Sequence, residues 1–271
     1  MPHTRASLID DLRRIGLAPG DLVMVHASCR AIGPVTGGPD AIHLAVLDAI
    51  SPGGTMMMVV GAPDGYDDVG RGILSAQEEA HILAHMPAFE PQATRASRDV
   101  GTLAEFFRSW PGTVCSDSVA MRVAARGAHA DWLTADHVWL YPHGRGSPLE
   151  KLAEAGGKVL LLGSDHDQVT LLHYPEHIAD FPGKIVVRYQ VPVLRAGKRV
   201  WLACEEFNSS TGAHANWPDR FFAQIVDGFI AGHDGSALCG SGKVGNSDSH
   251  LLDAAALTRH AVAIMEEVAR R

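Results

Sequence analysis

From Leu160 to His177 the chain reads Leu-Leu-Leu-Gly-Ser-Asp-His-Asp-Gln-Val-Thr-Leu-Leu-His-Tyr-Pro-Glu-His. An apolar run ends at Gly163, a polar loop follows, and a helical pattern begins near Thr170. Open α/β sheets present ligands at this point, just past the carboxyl end of a strand. Thr170 and His173 are three residues apart and share one helix face. A hydroxyl beside an imidazole at a helix start suits acyl transfer. The imidazole removes a proton from the nucleophile, and the hydroxyl donates to the oxyanion that develops. The same stretch also spells His173-Tyr174-Pro175-Glu176-His177, the inverted zincin pattern HxxEH, in which two histidines one turn apart share a zinc. Against the metal, Pro175 lies between the two ligands and no distant third carboxylate is marked. Two chemistries are therefore open from these residues: a zinc peptidase or amidase, and a transfer with His173 as acid/base.

Other signatures fail. There is no GxSxG nucleophile elbow. Gly242-Lys243-Val244 resembles the end of a phosphate-binding loop, but Ala237 stands where its first glycine belongs and no Ser or Thr follows the lysine. Arg13-Arg14-Ile15-Gly16-Leu17-Ala18 spells the RxxGxA loop of the GNAT acetyltransferases, but here it closes a helix, so its amides do not face a pyrophosphate. Cys29, Cys115, Cys204 and Cys239 have no CxxC spacing and read as reduced thiols. None has a sequence neighbour that would activate it as an acyl carrier.

The elements that must position these residues follow a β–loop–α order. A helix is predicted over Ser7–Ile15 with Ser7 as its cap, then a buried strand Leu22–His26, a glycine-rich loop Gly33–Gly38, a helix Asp40–Ile50 and a strand Thr55–Val60. Residues 61–98 are irregular and rich in Asp, Gly, Pro and His, which marks a functional loop. Helices are expected over Gly101–Trp110, from Ser147 to about Ala155, over Thr170–Ala179, Pro218–Ala231 and Leu251–Ala269. Lys158–Leu162 is a further strand, and Ile185–Leu194 with Arg199–Cys204 flank a turn and form an antiparallel hairpin. The expected fold is an α/β/α sandwich with a central mixed, mostly parallel sheet plus that hairpin, in one domain covering residues 1–271.

The net charge is −8 and no basic run exceeds two residues, which excludes nucleic acid as the main partner and suits a cationic ligand. The longest apolar runs, Thr55–Val60 and Val159–Leu162, are far short of a membrane span. No apolar stretch follows the N-terminus, so a cytoplasmic location is expected.

Taken in order, several segments resemble one family, the aminoglycoside 3-N-acetyltransferases outside the GNAT group. They are Val25-His26-Ala27-Ser28 with Arg30 and Gly33; Gly37-Gly38; Ser51-Pro52-Gly53-Gly54-Thr55; Val100-Gly101; Gly146-Ser147-Pro148; Gly157–Gly163; Thr170–His177; and Glu205-Glu206-Phe207-Asn208-Ser209-Ser210. Nearly the whole chain is covered. The chain departs from the family at Ala27 in the usual His-Ser-Ser, at Cys115–Ser118, and at Asn208-Ser209 in place of Asp-Thr. The resemblance implies transfer of acetyl from acetyl-CoA to the 3-amino group of a 2-deoxystreptamine ring, conferring antibiotic resistance, without a metal. It assigns the general base to His173, its orienting carboxylate to Glu205 (Glu206 if the alignment slips by one residue) and the oxyanion hydroxyl to Thr170. It implies a coenzyme A site along His26, Ser28, Arg30, Ile32 and Gly33. For the polycationic drug, Asp64, Tyr66, Asp67 and Asp68 in the long loop and Asp165, Asp167 and Glu176 near the histidine are the expected contacts, because each ammonium wants a carboxylate. A relative that acetylates a different amine is the remaining alternative.

Overall fold

The computed structural model describes all 271 residues. Thr4 caps α1 (Arg5–Arg14) by accepting from the Ser7 amide, and Ser7 answers by accepting from the Thr4 amide. Ser7 is thus the inner partner of the capping box, and Thr4, rather than Ser7, is the cap. There follow β1 (Leu22–Ala27), the one-turn helix α2 (Cys29–Ile32), α3 (Gly38–Ala49), β2 (Thr55–Val59), α4 (Ala76–His85), α5 (Thr102–Ser109), β3 (Val114–Cys115), β4 (Val123–Gly127), α6 (Ala130–Thr134), α7 (Pro148–Glu154) and β5 (Lys158–Leu162). Two 3-10 turns, His166–Gln168 and Thr170–Leu172, lead into α8 (His173–Ile178). The chain then forms β6 (Val186–Arg195), β7 (Lys198–Phe207), α9 (Phe221–His233), β8 (Cys239–Val244), β9 (Ser247–Asp253) and α10 (Ala254–Ala269).

Seven strands form one sheet in the order β3-β4-β2-β1-β5-β9-β8, and β6-β7 form a separate hairpin. The expected mixed sheet and hairpin are both present. Parallel pairing is confined to the three central strands, β2-β1-β5; the four outer pairings are antiparallel. The "mostly parallel" expectation overshoots because β3, β4, β8 and β9 carry too few apolar residues in a row to stand out. The segment Leu251–Asp253 completes β9, and the last helix begins only after Asp253, whose carboxylate caps it through the Ala256 amide.

The central strands are apolar on both faces because helices cover both. Leu22, Met24, Met57, Val159 and Leu161 belong to the cluster under α7, α9 and α10. Their neighbours Val23, Val25, Met56, Met58, Leu160 and Leu162 belong to the cluster under α1, α3 and α5. That alternation fixes the register and puts His26 on the Leu22–Met24 face. A third cluster, with Tyr66, Phe89, Tyr189 and Val193, ties the long 61–98 segment to the hairpin. Within that segment α4 forms under a Ser75–Glu78 capping box, so it is only partly irregular. No helix is long and apolar enough to cross a membrane.

Candidate active site

β5 delivers the chain to the site and is followed by Gly163, whose φ of +62° is open to glycine and strained for other residues. The polar loop then turns on Asp165, whose side chain accepts from the Asp167 amide. The two 3-10 turns follow, and His173 is the first residue of α8. Pro175 fits in this first turn, where its missing N–H has no partner to lose. The His173 ring packs edge-on against Phe222 and His143, with centroids 4.8 and 4.9 Å away.

His173 Nδ1 lies 2.8 Å from Glu176 Oε2, one turn along the same helix. Glu176 is 2% exposed, and its other oxygen accepts from Trp217 Nε1 at 2.9 Å and the Ala213 amide at 3.3 Å. A buried carboxylate so held fixes the tautomer: Nδ1 carries the proton and donates it to Glu176, and Nε2 keeps a lone pair.

Two clefts adjoin at Gln168 and Thr170, just before this histidine. One, of about 560 Å³, is lined by Asp167, Thr170, His173 and Glu176 on one side and by the Ser209–Gly212 and Trp217–Phe222 segments on the other. The second, of about 400 Å³, lies at the carboxyl ends of β1 and β2, against the first turn of α2, Asp99–Thr102 and the Ser164–Asp165 loop. Gln168 and Thr170 line both. Two buried polar atoms on the second cleft's lining residues, His26 Nε2 and Ser164 Oγ, have no protein partner. Burial pushes the His26 imidazole down to about 4, so at neutral pH it is an uncharged hydrogen-bonding group.

The expected residues divide. His26, Ser28 and Arg30 line the strand-end cleft. Ile32 and Gly33 do not, because the expected loop is the helical turn α2. Its far side buries Ile32 completely in the core, and Gly33 lies against Asn246. Asp165 lines the strand-end cleft, Asp167 and Glu176 the histidine cleft. Asp64, Tyr66, Asp67 and Asp68 line neither. Tyr66 is 7% exposed and packs edge-on against Phe89, while Asp67 pairs with Arg71 and Asp68 accepts from the Gly65 amide. The long loop has turned Asp67 and Asp68 onto itself, while Asp64 is exposed. Glu176, expected to meet the drug, is the buried partner of His173.

Glu205 does not meet His173. It accepts from the Tyr141 hydroxyl at 2.7 Å and from Arg188 at 2.9 Å. Burial and that bond to Glu205 push the Tyr141 phenol up to about 12. Glu206, on the opposite face of β7, is buried between two histidines the sequence did not single out together. His143 Nδ1 lies 2.7 Å from one oxygen and His177 Nε2 2.9 Å from the other. Burial opposes ionisation of Glu206, but the two histidine hydrogen bonds outweigh it and hold the carboxyl below its usual range. Gly144 makes room for this arrangement, since a Cβ there would stand 2.6 Å from His177 Nδ1. One ligand atom each from His143, His177 and Glu206 lie within 4.8 Å of one another. The trio is also complete as a hydrogen-bonded unit, with the His143 and Phe207 amides donating to the same carboxylate. The HxxEH reading fails on geometry, because His173 and His177 face different carboxylates.

A family model described as "Aminoglycoside 3-N-acetyltransferase" matches residues 24–266. Among characterised relatives, aminoglycoside N(3)-acetyltransferase III of Pseudomonas aeruginosa is 39% identical over 269 residues, covering 98% of this chain and 94% of the relative. Among solved structures, AAC-IIIb in a binary complex with CoASH superposes with a TM-score of 0.90 at 41% identity, covering 98% of this chain and 97% of that one. AAC-VIa bound to sisomicin gives a TM-score of 0.91 at 32% identity over 100% of both chains.

Proposed function

The chain belongs to the aminoglycoside 3-N-acetyltransferase family, and on that premise we propose that it transfers the acetyl group of acetyl-CoA to the 3-amino group of a 2-deoxystreptamine aminoglycoside. One observation carries the assignment of parts: two clefts share Thr170, and the carboxylate-held imidazole one turn on lines one of them. The strand-end cleft takes the coenzyme. Its unpartnered His26 Nε2 and Ser164 Oγ fit the amide groups of a pantetheine arm, and Arg30 supplies a charge for a phosphate. The histidine cleft takes the aminoglycoside, with Asp167 and Asp219 in its lining to receive ammonium groups.

Acetyl-CoA supplies an activated thioester carbonyl, and the chain's residues do the rest. His173 Nε2 accepts a proton from the amine as its nitrogen bonds to the acetyl carbon. Glu176 accepts the Nδ1 hydrogen bond and stabilises the imidazolium that forms. The Thr170 hydroxyl donates to the developing oxyanion. The C–S bond then breaks, and the departing thiolate leaves with the proton carried by His173. Direct transfer between two bound substrates is favoured over an acetyl-enzyme by the cysteines. Burial raises the thiols of Cys29, Cys115, Cys204 and Cys239, opposite to what a nucleophile needs. The reaction belongs in the cytoplasm, where acetyl-CoA is available, and its product is a drug with one ammonium fewer.

The test is thiol release from acetyl-CoA across aminoglycosides with and without a free 3-amino group, with the product's acetyl position read by NMR. Turnover only with a free 3-amino group, acetylated at that nitrogen, is the expected result. No turnover with any 2-deoxystreptamine drug, or acetylation elsewhere, overturns the reading.

A further inference from the structure

A cleft that receives a polycation should lack fixed cations, yet Arg220 lines the histidine cleft and is its only lysine or arginine. Its guanidinium does not point to an acid of that cleft's own lining. Nη2 and Nη1 make a forked pair with Asp165 Oδ1 and Oδ2 at 2.6 and 3.1 Å. Asp165 lines the other cleft, where Asp99 is a second acid and Arg30 the only lysine or arginine. The Asp167 backbone amide, and then Arg220, hold the Asp165 carboxyl below its usual range, so it is ionised at neutral pH. Left alone, its charge would oppose a polyanionic coenzyme in that cleft.

Arg220 is poorly explained as packing, because 61% of its side chain is exposed. It also sits at φ +53°, a left-handed conformation that disfavours non-glycine residues, just before α9 begins. The local backbone is held in an unusual shape at a residue whose side chain reaches from one cleft to an acid of the other.

We propose that Arg220 is a charge partition for the two substrates: it cancels Asp165 where the coenzyme binds, although it stands in the acceptor cleft. This rests on the assignment of the strand-end cleft to coenzyme A. Arg220 is a positioning residue, touching neither reacting atom. Its effect is long-range and electrostatic, and three signatures separate it from a structural role. The defect should fall on the coenzyme rather than the aminoglycoside. It should shrink as salt screens it. It should vanish when Asp165 loses its charge.

The experiment is calorimetric titration of coenzyme A itself, with parallel steady-state kinetics, on wild type, Arg220→Gln, Asp165→Asn and the double variant. One uncancelled charge acting through water on two phosphate charges over a separation of about 8 Å would weaken binding about threefold to tenfold at low salt. The expected result for Arg220→Gln is that loss at 50 mM salt, a much smaller loss at ~0.5 M, where screening is short, and an aminoglycoside KM equal to or below wild type. The double variant should regain wild-type coenzyme affinity. Unaltered coenzyme affinity in Arg220→Gln overturns the proposal, as does a double variant that stays impaired or a defect confined to the aminoglycoside KM. Wild-type binding of coenzyme A is the control that separates the two ideas: if wild type binds none, the cleft assignment fails; if it binds and the variants match it, only the role of Arg220 fails.

Discussion

His173 can serve as a base only while its proton sits on the nitrogen away from the acceptor, and Glu176 imposes that at 2.8 Å. Amide replacement leaves the shape but offers an N–H where an acceptor is needed, which disturbs the tautomer. Glu176→Gln should therefore lower kcat by as much as about 10⁴-fold, with little change in either KM. Glu205→Gln, which removes a contact with Tyr141 and Arg188 on the exposed face of the hairpin, should stay within about threefold of wild type, as surface changes away from the chemistry do. Steady-state kinetics on the two variants checks both; a catalytic loss in Glu205→Gln alone would reverse the assignment. The histidine and threonine were legible in the sequence because strand, loop and helix start are local signals. The carboxylate was not legible from alternation on β7. Alternation does separate Glu205 from Glu206, yet one goes to the exposed face, the other to His143 and His177, and neither reaches His173. The informative signal was the shorter one, His173 and Glu176 at helical spacing i and i+3.

At the scale of elements, β5 and the turn after it do most of the positioning. Lys158–Leu162 was readable to the residue because it is a short apolar run bounded by glycines, and so were β1 and the hairpin, to within a few residues. The one-turn helix α2 was not. Ser28 caps it through the Ala31 amide, a local bond that no hydrophobic period announces, and it turns Ile32 into the core. The outer strands β3 and β8 were missed because one is two residues long and the other reads Cys-Gly-Ser-Gly-Lys-Val. Gly163 tests the claim that the β5 turn sets the site. A Cβ there would lie 2.5 Å from Ala31 Cβ and 2.7 Å from Ser247 Cβ, at a φ of +62°. Strain and overpacking together put the cost of Gly163→Ala at roughly 2–4 kcal/mol, a fall in Tm of roughly 5–10 °C. Because Asp165, Thr170 and His173 hang from this turn, kcat should fall with it. Thermal melting unchanged within a degree would mean the turn tolerates a side chain and does not set the site.

At the scale of the whole molecule, histidine burial sets an acid limit. Burial lowers the pKa of His26, His43, His137, His143, His250 and His260, to about 4 for His26 and His137. In the unfolded chain each titrates near the ordinary value of 6.5. As pH falls below that value the unfolded state takes up protons that the folded state refuses, so stability is full above it and declines toward pH 4. Each such proton costs about 1.4 kcal/mol per pH unit. His26 and His137 alone should remove roughly 2–4 kcal/mol between pH 7 and pH 5. Glu206, held below its usual range, works the same way further down: its contribution is present above about 4.5 and is lost as pH falls below that. Urea unfolding at pH 7 and pH 5 measures this, with a lower midpoint at pH 5 and an unchanged slope expected; equal midpoints would mean these histidines are protonated in the folded state.

The most direct measurement is turnover by His173→Ala alongside calorimetric binding of both substrates. Removing a general base costs roughly 10²–10⁴ in rate and leaves binding nearly intact. The expected result is a kcat lowered by that factor with both dissociation constants within about twofold of wild type. A variant that binds both substrates and keeps more than about a tenth of wild-type turnover would contradict it, and His173 would no longer be the base.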